Sequence, residues 1–506
     1  MATECHIQFS FRFQPKLTLD FAGGEITSEA GLVLLREFDE RLKLTAGLKG
    51  LVADERDRRY IEHPTLNLLR QRIYQIAAGY EDANDATFLR HDPTLRAVVS
   101  RGELPLASQP TLSRLENAVA WESIRALERL GLEWFIRCQA QGLRHRQEII
   151  LDIDSTSDPT HGQQQLSFFN GHYDTHMYHP LLIFEGGSGI LLASALRPGD
   201  VGGIRGLLPR LRLLVTQLRR RWPKRPIALR ADGEFAKPTL LDYAEYAGCL
   251  YAIGLPRNPK LEARAQRLCR RAQQRWRESG QGVRLYTDFF YKAGTWPHPR
   301  RVAVKCEVTA LGTNVRFVVT NRVGSAEQIF AWYNQRGQAE NYIKELKNDL
   351  AADRLSCSAY RANAFRLQLH ALAYNLLVLF RRLLLHGTQL GCATLAQVRL
   401  RLFKLGARVH RSVRRLWFHL ASGWPGRPLF ARTSGHHPRA DLNTCPPISC
   451  PAKYSLGNLV APVCCRRNIL RLKVGQKCLA LAFPPASSIP FVSLKPPLLS
   501  PNRIPR

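Results

Sequence analysis

Trp332-Tyr333-Asn334-Gln335-Arg336-Gly337-Gln338-Ala339-Glu340-Asn341-Tyr342-Ile343-Lys344-Glu345-Leu346-Lys347 is the stretch on which the reading of the whole chain turns. At about 100° per residue, an unbroken helix here carries Tyr333, Arg336, Glu340, Lys344 and Lys347 within one narrow arc. A lone carboxylate flanked by cations is a poor core-facing surface and a good grip for a phosphate. A solvated face of paired charges accounts for the same residues more plainly, and both readings stay open at this point.

Outward from that helix, two further acids stand at structurally marked places. Ile149-Ile150-Leu151-Asp152-Ile153-Asp154-Ser155-Thr156 alternates as a strand, so Asp152 and Asp154 project to one side. Acids in an apolar strand are costly to bury unless they bind a metal or are hydrogen-bonded; acids at a strand end facing water are the alternative. Pro226 to Arg230 reads as a second strand running into Ala231-Asp232-Gly233, which places Asp232 at its C-terminal tip, ahead of a helix from about Pro238 to Ala247. Ligand groups collect at such tips in open α/β sheets, though a turn-forming Asp looks the same. Asp154, Asp232 and Glu340 therefore come from strand, strand and helix. Such a set suits two-metal phosphoryl transfer, with carboxylates holding two Mg²⁺ or Mn²⁺ ions about 3.5 to 4 Å apart.

Composition agrees with a polyanionic partner. Lys and Arg number 73 against 41 Asp and Glu, a net charge of +32, which attracts nucleic acid by counterion release without choosing a sequence. An anionic membrane would attract the same charge. The most apolar run, Ala371 to Phe380, is too short to span a bilayer and is flanked by His370 and Arg381-Arg382. The first residues lack the basic and apolar regions of an export signal, and twelve scattered cysteines read as reduced thiols, so a cytoplasmic, nucleoid-associated protein without membrane contact is expected.

Helical spacing dominates before residue 145: Ser28 is placed to cap a helix carrying Leu32, Leu34, Leu35 and Phe38. Gly79-Tyr80-Glu81-Asp82-Ala83-Asn84-Asp85-Ala86 reads as capping and turn residues before it reads as a metal loop. After Glu148 the pattern turns to strands, with Leu181 to Phe184 and Gly189 to Leu196 completing an antiparallel meander. His172, His176 and His179 lie between, and without zinc-ligand spacing they read as loop hydrogen-bonding groups. Arg257 to Val323 looks like a basic helix followed by a β-rich insertion. Val398 to Arg415 interleaves cations with apolar residues and leads to Trp417-Phe418, a mixture that suits either a nucleic-acid groove or ordinary packing. From about Gly426, proline- and cysteine-rich sequence without periodicity argues against a packed domain.

The pattern Tyr333-x2-Arg336-x3-Glu340-x6-Lys347 resembles the signature around the third acid of DDE transposases related to insertion-sequence family 4. From about Phe21 to Pro425 the chain resembles the transposases of insertion-sequence family 1380. The matching pieces are Phe21 to Gly24, Gly79 to Ala86, Gln109 to Asn117, Leu151 to Thr156, Phe168 to Tyr173, Arg230 to Asp232 and Tyr333 to Asp353. One departure is Asp232-Gly233-Glu234-Phe235 where many relatives read Asp-Ser-Gly-Phe, which puts Glu234 near the second acid.

The resemblance implies an α/β fold with an RNase H-like catalytic core, a mixed sheet flanked by helices. Residues 1–145 would be a helical DNA-end-binding and assembly domain, 146–256 the first part of the core, 257–323 the insertion, 324–425 the signature helix with a basic region, and 426–506 a disordered tail. It further implies Asp154, Asp232 and Glu340 as catalytic and metal-binding acids, and two Mg²⁺ or Mn²⁺ ions. Tyr333, Arg336, Lys344 and Lys347 would contact double-stranded DNA at terminal inverted repeats and target, with a homo-oligomer, a dimer, on paired ends. A nuclease of the same fold that does not join ends, and a decayed transposase that only binds DNA, are the competing expectations.

Overall fold

A computed structural model describes residues 8–100, 104–139 and 148–434. The chain opens with an antiparallel hairpin, β1 (Phe9–Phe11) and β2 (Gln14–Leu19), and a short strand β3 (Ile26–Thr27). Helices follow: α1 (Leu32–Leu42), α2 (Thr65–Ala78), α3 (Ala86–Leu89), α4 (Pro93–Val99), α5 (Gln109–Ala118) and α6 (Trp121–Gln139). Gly31, not Ser28, is the residue that precedes α1. A β-carbon at Gly31 would lie 1.9 Å from the Leu402 carbonyl, so this approach of two chain segments tolerates glycine alone. In the acidic break after α2, Asp82 accepts a hydrogen bond from the Asn84 backbone at 3.0 Å, a turn-forming role.

The central sheet has eight strands. In chain order they are β4 (Ile149–Ser155), β8 (Leu181–Glu185), β9 (Leu191–Ala195), β10 (Ile227–Ala231), β11 (Leu250–Leu255), β12 (Val283–Tyr291), β13 (Arg300–Thr309) and β14 (Gly312–Thr320). A side sheet of β5 (Asp158–Pro159), β6 (Phe168–Asn170) and β7 (Thr175–Tyr178) separates β4 from β8. The spatial order is β12-β13-β14-β11-β10-β4-β8-β9, with β10 parallel to both β4 and β11 and the other pairs antiparallel. Every residue of β8 and β10 is buried, which accounts for the apolar run Leu181 to Phe184 in β8, while β10 buries a single charge, Arg230, among apolar residues.

Residues 283–320, read from sequence as an insertion, continue this sheet: Ala252 to Leu255 of β11 pair with Phe317 to Thr320 of β14. A 21-residue helix, α9 (Pro259–Ser279), packs on the extension; α7 (Leu207–Arg221) and α8 (Pro238–Tyr246) complete the α/β part. The signature stretch then forms two helices, α10 (Ala326–Asn334) and α11 (Gly337–Lys344), followed by a π turn over Glu345–Asp349. The single straight helix expected there is interrupted at Gln335-Arg336. A long buried helix, α12 (Tyr360–Leu384), a short α13 (Leu395–Val398), a hairpin of β15 (Ala407–Arg411) and β16 (Leu416–Leu420), and α14 (Arg427–Thr433) follow. The helix α14 falls at the start of the stretch read as tail; the rest of that stretch, from residue 435, lies outside the described residues.

β9 is an edge strand, and α12 covers it with side-chain amides in place of a ninth strand. Asn375 accepts a hydrogen bond from the Leu191 backbone N–H at 2.9 Å and donates to the Leu191 carbonyl at 2.8 Å, while Gln368 donates to the Ser194 carbonyl at 2.9 Å. Replacing the partner leaves two buried backbone groups unsatisfied. Asn375→Leu is therefore expected to cost about 2 to 3 kcal/mol in a denaturant titration, whereas a neutral result would mean the edge is held by packing alone.

Candidate active site

β4 and β10 run parallel with Asp152 opposite Arg230 and Ile153 opposite Ala231, so the next residues, Asp154 and Asp232, emerge side by side at the same end of the sheet. Asp154 is 8% exposed and accepts a hydrogen bond from the Ser155 backbone at 3.0 Å. Asp232 caps the turn that follows β10 by accepting from the Glu234 backbone at 3.0 Å. Glu340 reaches them from α11 and is the wet member of the three, with 56% of its side chain exposed. Together with Ser155, Thr156, Arg336, Ile343, Lys344, Lys347 and Asn348 they line one open polar cleft of about 410 Å³.

Arg336 joins two of the acids. Its guanidinium donates to Asp154 at 2.9 Å and to Glu340 at 3.3 Å. Burial lifts the Asp154 carboxyl to about 7, with Arg336 opposing the rise and the negative charges of Asp232 and Glu340 adding to it. Burial is also the first cause of the upward shift of Asp232, opposed by the Glu234 N–H and by Arg336. Among the described residues, no three His, Cys, Asp or Glu side chains form a group that would hold a metal ion as they stand. The acids thus share a cleft without forming a closed ion cage, and Arg336 supplies the countercharge between Asp154 and Glu340. The donor chemistry nonetheless fits a hard divalent cation: carboxylate oxygens from three elements in an open and polar setting.

Of the residues expected on one helical face, Arg336, Glu340, Lys344 and Lys347 all line the cleft and Tyr333 does not. Lys344 and Lys347 line the cleft, and Lys347 also donates to the Ser157 carbonyl at 2.7 Å and pairs with Asp353 at 3.4 Å. Tyr333 does not line the cleft but stands behind it beside Arg336, with its ring 6.5 Å from that of Phe330 and its hydroxyl leaving room at Gly254 for nothing larger than hydrogen: a β-carbon there would be 2.7 Å away. Glu234 turns its carboxylate onto the Gly203 backbone N–H and is not among the residues lining the cleft. His179 is held by the Val201 carbonyl at 2.9 Å.

Sequence reasoning left the partner of Asp152 unassigned. Arg230, two residues before Asp232, makes a bidentate pair with Asp152, two residues before Asp154, at 2.6 and 2.7 Å. The same guanidinium donates to the Trp332 carbonyl at 3.1 Å, and its carbon stands 5.0 Å from the Trp332 ring centroid. One buried cation thereby ties β4, β10 and α10, the elements that deliver or lead to the three acids. Gly186 leaves space for this pair, since a β-carbon there would meet both partners at 2.6 Å. Tyr342 sets α11 down on the turn after β8, donating to the Gly186 carbonyl at 3.2 Å and covering Gly189, whose φ of +70° suits glycine.

Near the cleft, Asp158 has both carboxylate oxygens buried without a partner. Burial lifts its pKa far above the usual range, with Asp353 adding and Lys347 and Arg366 opposing. A carboxyl raised in the folded state stabilises most below its unfolded pKa of about 4, and that contribution is lost as pH rises toward the folded value. Asp158→Asn is expected to raise the melting temperature more at about pH 8 than at about pH 5; an equal shift at both would show that Asp158 does not titrate this way.

A mixed sheet whose strand ends feed two acids into one open polar cleft, met there by a third acid and by cations from a helix, is a layout suited to an enzyme acting on phosphate esters. The family is narrower: a model of the transposase DDE domain group 1 matches residues 9–439, and the chain belongs to that family. It is thereby placed among the proteins of DNA transposition and recombination. No curated protein matches the chain. Among solved structures it is similar to a piggyBac transposase in a synaptic complex with hairpin DNA, at 12% identity and a TM-score of 0.38, over 78% of this chain and 82% of that one. A likeness that distant fixes nothing about the site.

Proposed function

We propose that this protein is the transposase of a bacterial insertion sequence of family 1380, cutting DNA at terminal inverted repeats and joining the freed 3′-hydroxyl to target DNA on an RNase H-like core. The observation that carries the reading is the convergence of Asp154, Asp232 and Glu340, from two adjacent strand ends and a helix, on a cleft shared with Arg336, Lys344 and Lys347. Asp154, Asp232 and Glu340 would hold Mg²⁺ or Mn²⁺. Bound ions of this kind supply charge stabilisation at the entering and departing oxygens of an in-line displacement.

The protein's own side chains do the rest. Lys344 and Lys347 draw the phosphodiester into the cleft and neutralise its oxygens. Arg336 keeps Asp154 and Glu340 compatible in the free protein and turns to a phosphate when the acids take up cations. Tyr333 supports Arg336 from the packed side. The helical segment before residue 145 binds element ends and a second copy, giving a dimer on paired ends. The test is nicking of a duplex bearing the element's ends, with and without Mg²⁺, followed by sequencing of joined products for a short target duplication. Hydrolysis without joining would leave a nuclease of the same family of folds.

One observation favours a second reading. Arg336 already neutralises two of the three acids, as in a protein that binds DNA without cutting it. Absence of nicking at any Mg²⁺ or Mn²⁺ concentration, with duplex binding intact, would select that reading.

A further inference from the structure

We propose that the hairpin β15–β16 is a second duplex-DNA contact, distinct from the acidic cleft, with arginines on its tip and outer face set against backbone phosphates. The strands pair Arg408 with His419, Val409 with Phe418 and His410 with Trp417, so the ribbon has two unlike faces. Ala407 and Val409 are buried on the inner face, where Ala407 joins a cluster with Ala30 and Leu405 to which Phe418, Leu420, Trp424 and Phe430 add. On the other face Arg408, His410 and His419 are exposed and Trp417 is 47% exposed. There the Trp417 and His419 rings stack at 6.1 Å and 10°, and the Arg415 guanidinium carbon stands 5.6 Å from the Trp417 centroid.

The tip is built to project. Ser412 and Arg415 close it: the Ser412 N–H donates to the Arg415 carbonyl at 2.9 Å, and the Arg415 N–H to the Ser412 hydroxyl at 3.1 Å. Val413 and Arg414 are left outside, both exposed. The base is rigidly held. β3 pairs with β15, and Thr27 of β3 donates to Asp92 at the start of α4 at 2.7 Å. The Val409 N–H donates to the Glu25 carbonyl at 2.7 Å.

Charge identifies the occupant. Residues 407–420 contain four arginines and two histidines and no Asp or Glu. Arg408, Arg414 and Arg415 form no ion pair with the described residues. A second copy docking face to face would set these arginines against their own equivalents, a like-charge contact that opposes association. A polyanion gains at the same place, because each phosphate neutralised releases counterions. A two-stranded ribbon is also narrow enough for the major groove of B-DNA, and exposed Trp and His add apolar and stacking area. The inference takes its partner class from the transposase reading and needs none of that reading's catalytic chemistry.

The experiment is fluorescence anisotropy of the full chain with a short labelled duplex of arbitrary sequence, titrated at several salt concentrations. Two variants are compared with the unaltered protein: Arg408→Ala/Arg414→Ala/Arg415→Ala and the single Arg414→Glu at the exposed tip. The triple variant is expected to bind about 10- to 100-fold more weakly at low salt, with the slope of log affinity against log salt flatter by about 0.9 for each phosphate no longer neutralised. Arg414→Glu is expected to move both quantities the same way and keeps the test decisive if the triple variant misfolds. Unchanged affinity and slope in the Arg414→Glu protein would overturn the proposal. So would loss of a dimer by mass photometry with DNA binding unaltered, which would assign the hairpin to a second copy. Failure of the unaltered chain to nick DNA, with the hairpin's salt effect present, would remove the cleavage mechanism and leave the hairpin's role standing.

Discussion

Glu340→Gln is expected to lower the rate of metal-dependent DNA nicking by about three orders of magnitude or more while duplex affinity stays within a few-fold of the unaltered protein. The substitution is nearly isosteric and falls on a side chain more than half exposed, so the fold has little to lose. What it removes is one anionic oxygen donor from the cleft. The 3.3 Å approach of Arg336 to Glu340 is long and solvated, and without it Arg336 remains on Asp154 at 2.9 Å. Asp154→Asn is expected to match it in activity and to differ in its background. Asp154 is buried and lifted to about 7, so the neutral amide avoids the charge burial that the native carboxylate carries at alkaline pH. Nicking by either variant at the native rate would refute the role given to the three acids. Equal loss of nicking and of duplex binding would point to a misplaced DNA contact instead.

The largest stability effect is expected at Asp152. Both partners of the Asp152–Arg230 pair are essentially inaccessible, at 0% and 2% side-chain exposure, and the pair is bidentate. Removing one member strands the other charge in the interior, a penalty of about 3 to 5 kcal/mol. Asp152→Ala should therefore show that loss in urea or guanidinium denaturation, and Arg230→Met a similar one, with Trp332 also losing the cation beside its ring. The double variant Asp152→Leu/Arg230→Met leaves no orphan charge and should be less destabilised than either single change. Additive losses would mean the two residues act separately. The pair's place in the fold links stability to function: it stands one inward-facing position behind Asp154 and Asp232, on the two strands that present them.

Much of the site was legible because its signals are local. Two-residue alternation marked Asp152 and Asp154 as a same-side pair on a strand, and the Ala231-Asp232-Gly233 stop marked a strand tip; both depend on a few consecutive residues. Lys344 and Lys347 were legible for the same reason and do line the cleft. The bridge made by Arg336 was not. Its Glu340 half is the i,i+4 neighbour that a helical face supplies, but its other half depends on Asp154 lying 182 positions away in sequence. Arg230 was passed over because a buried cation shows no periodic signature; only its partner on the neighbouring strand explains it.

The basic surplus and the residue types at the strand ends were settled by the chain itself, since alternation and turn chemistry act over a few residues. That residues 283–320 extend the central sheet, that an amide pair on α12 closes its edge, and that Arg336 sits between two acids were decided by the tertiary structure alone. Each is a pairing between segments far apart in sequence, selected by which backbone groups and charges would otherwise be buried without a partner.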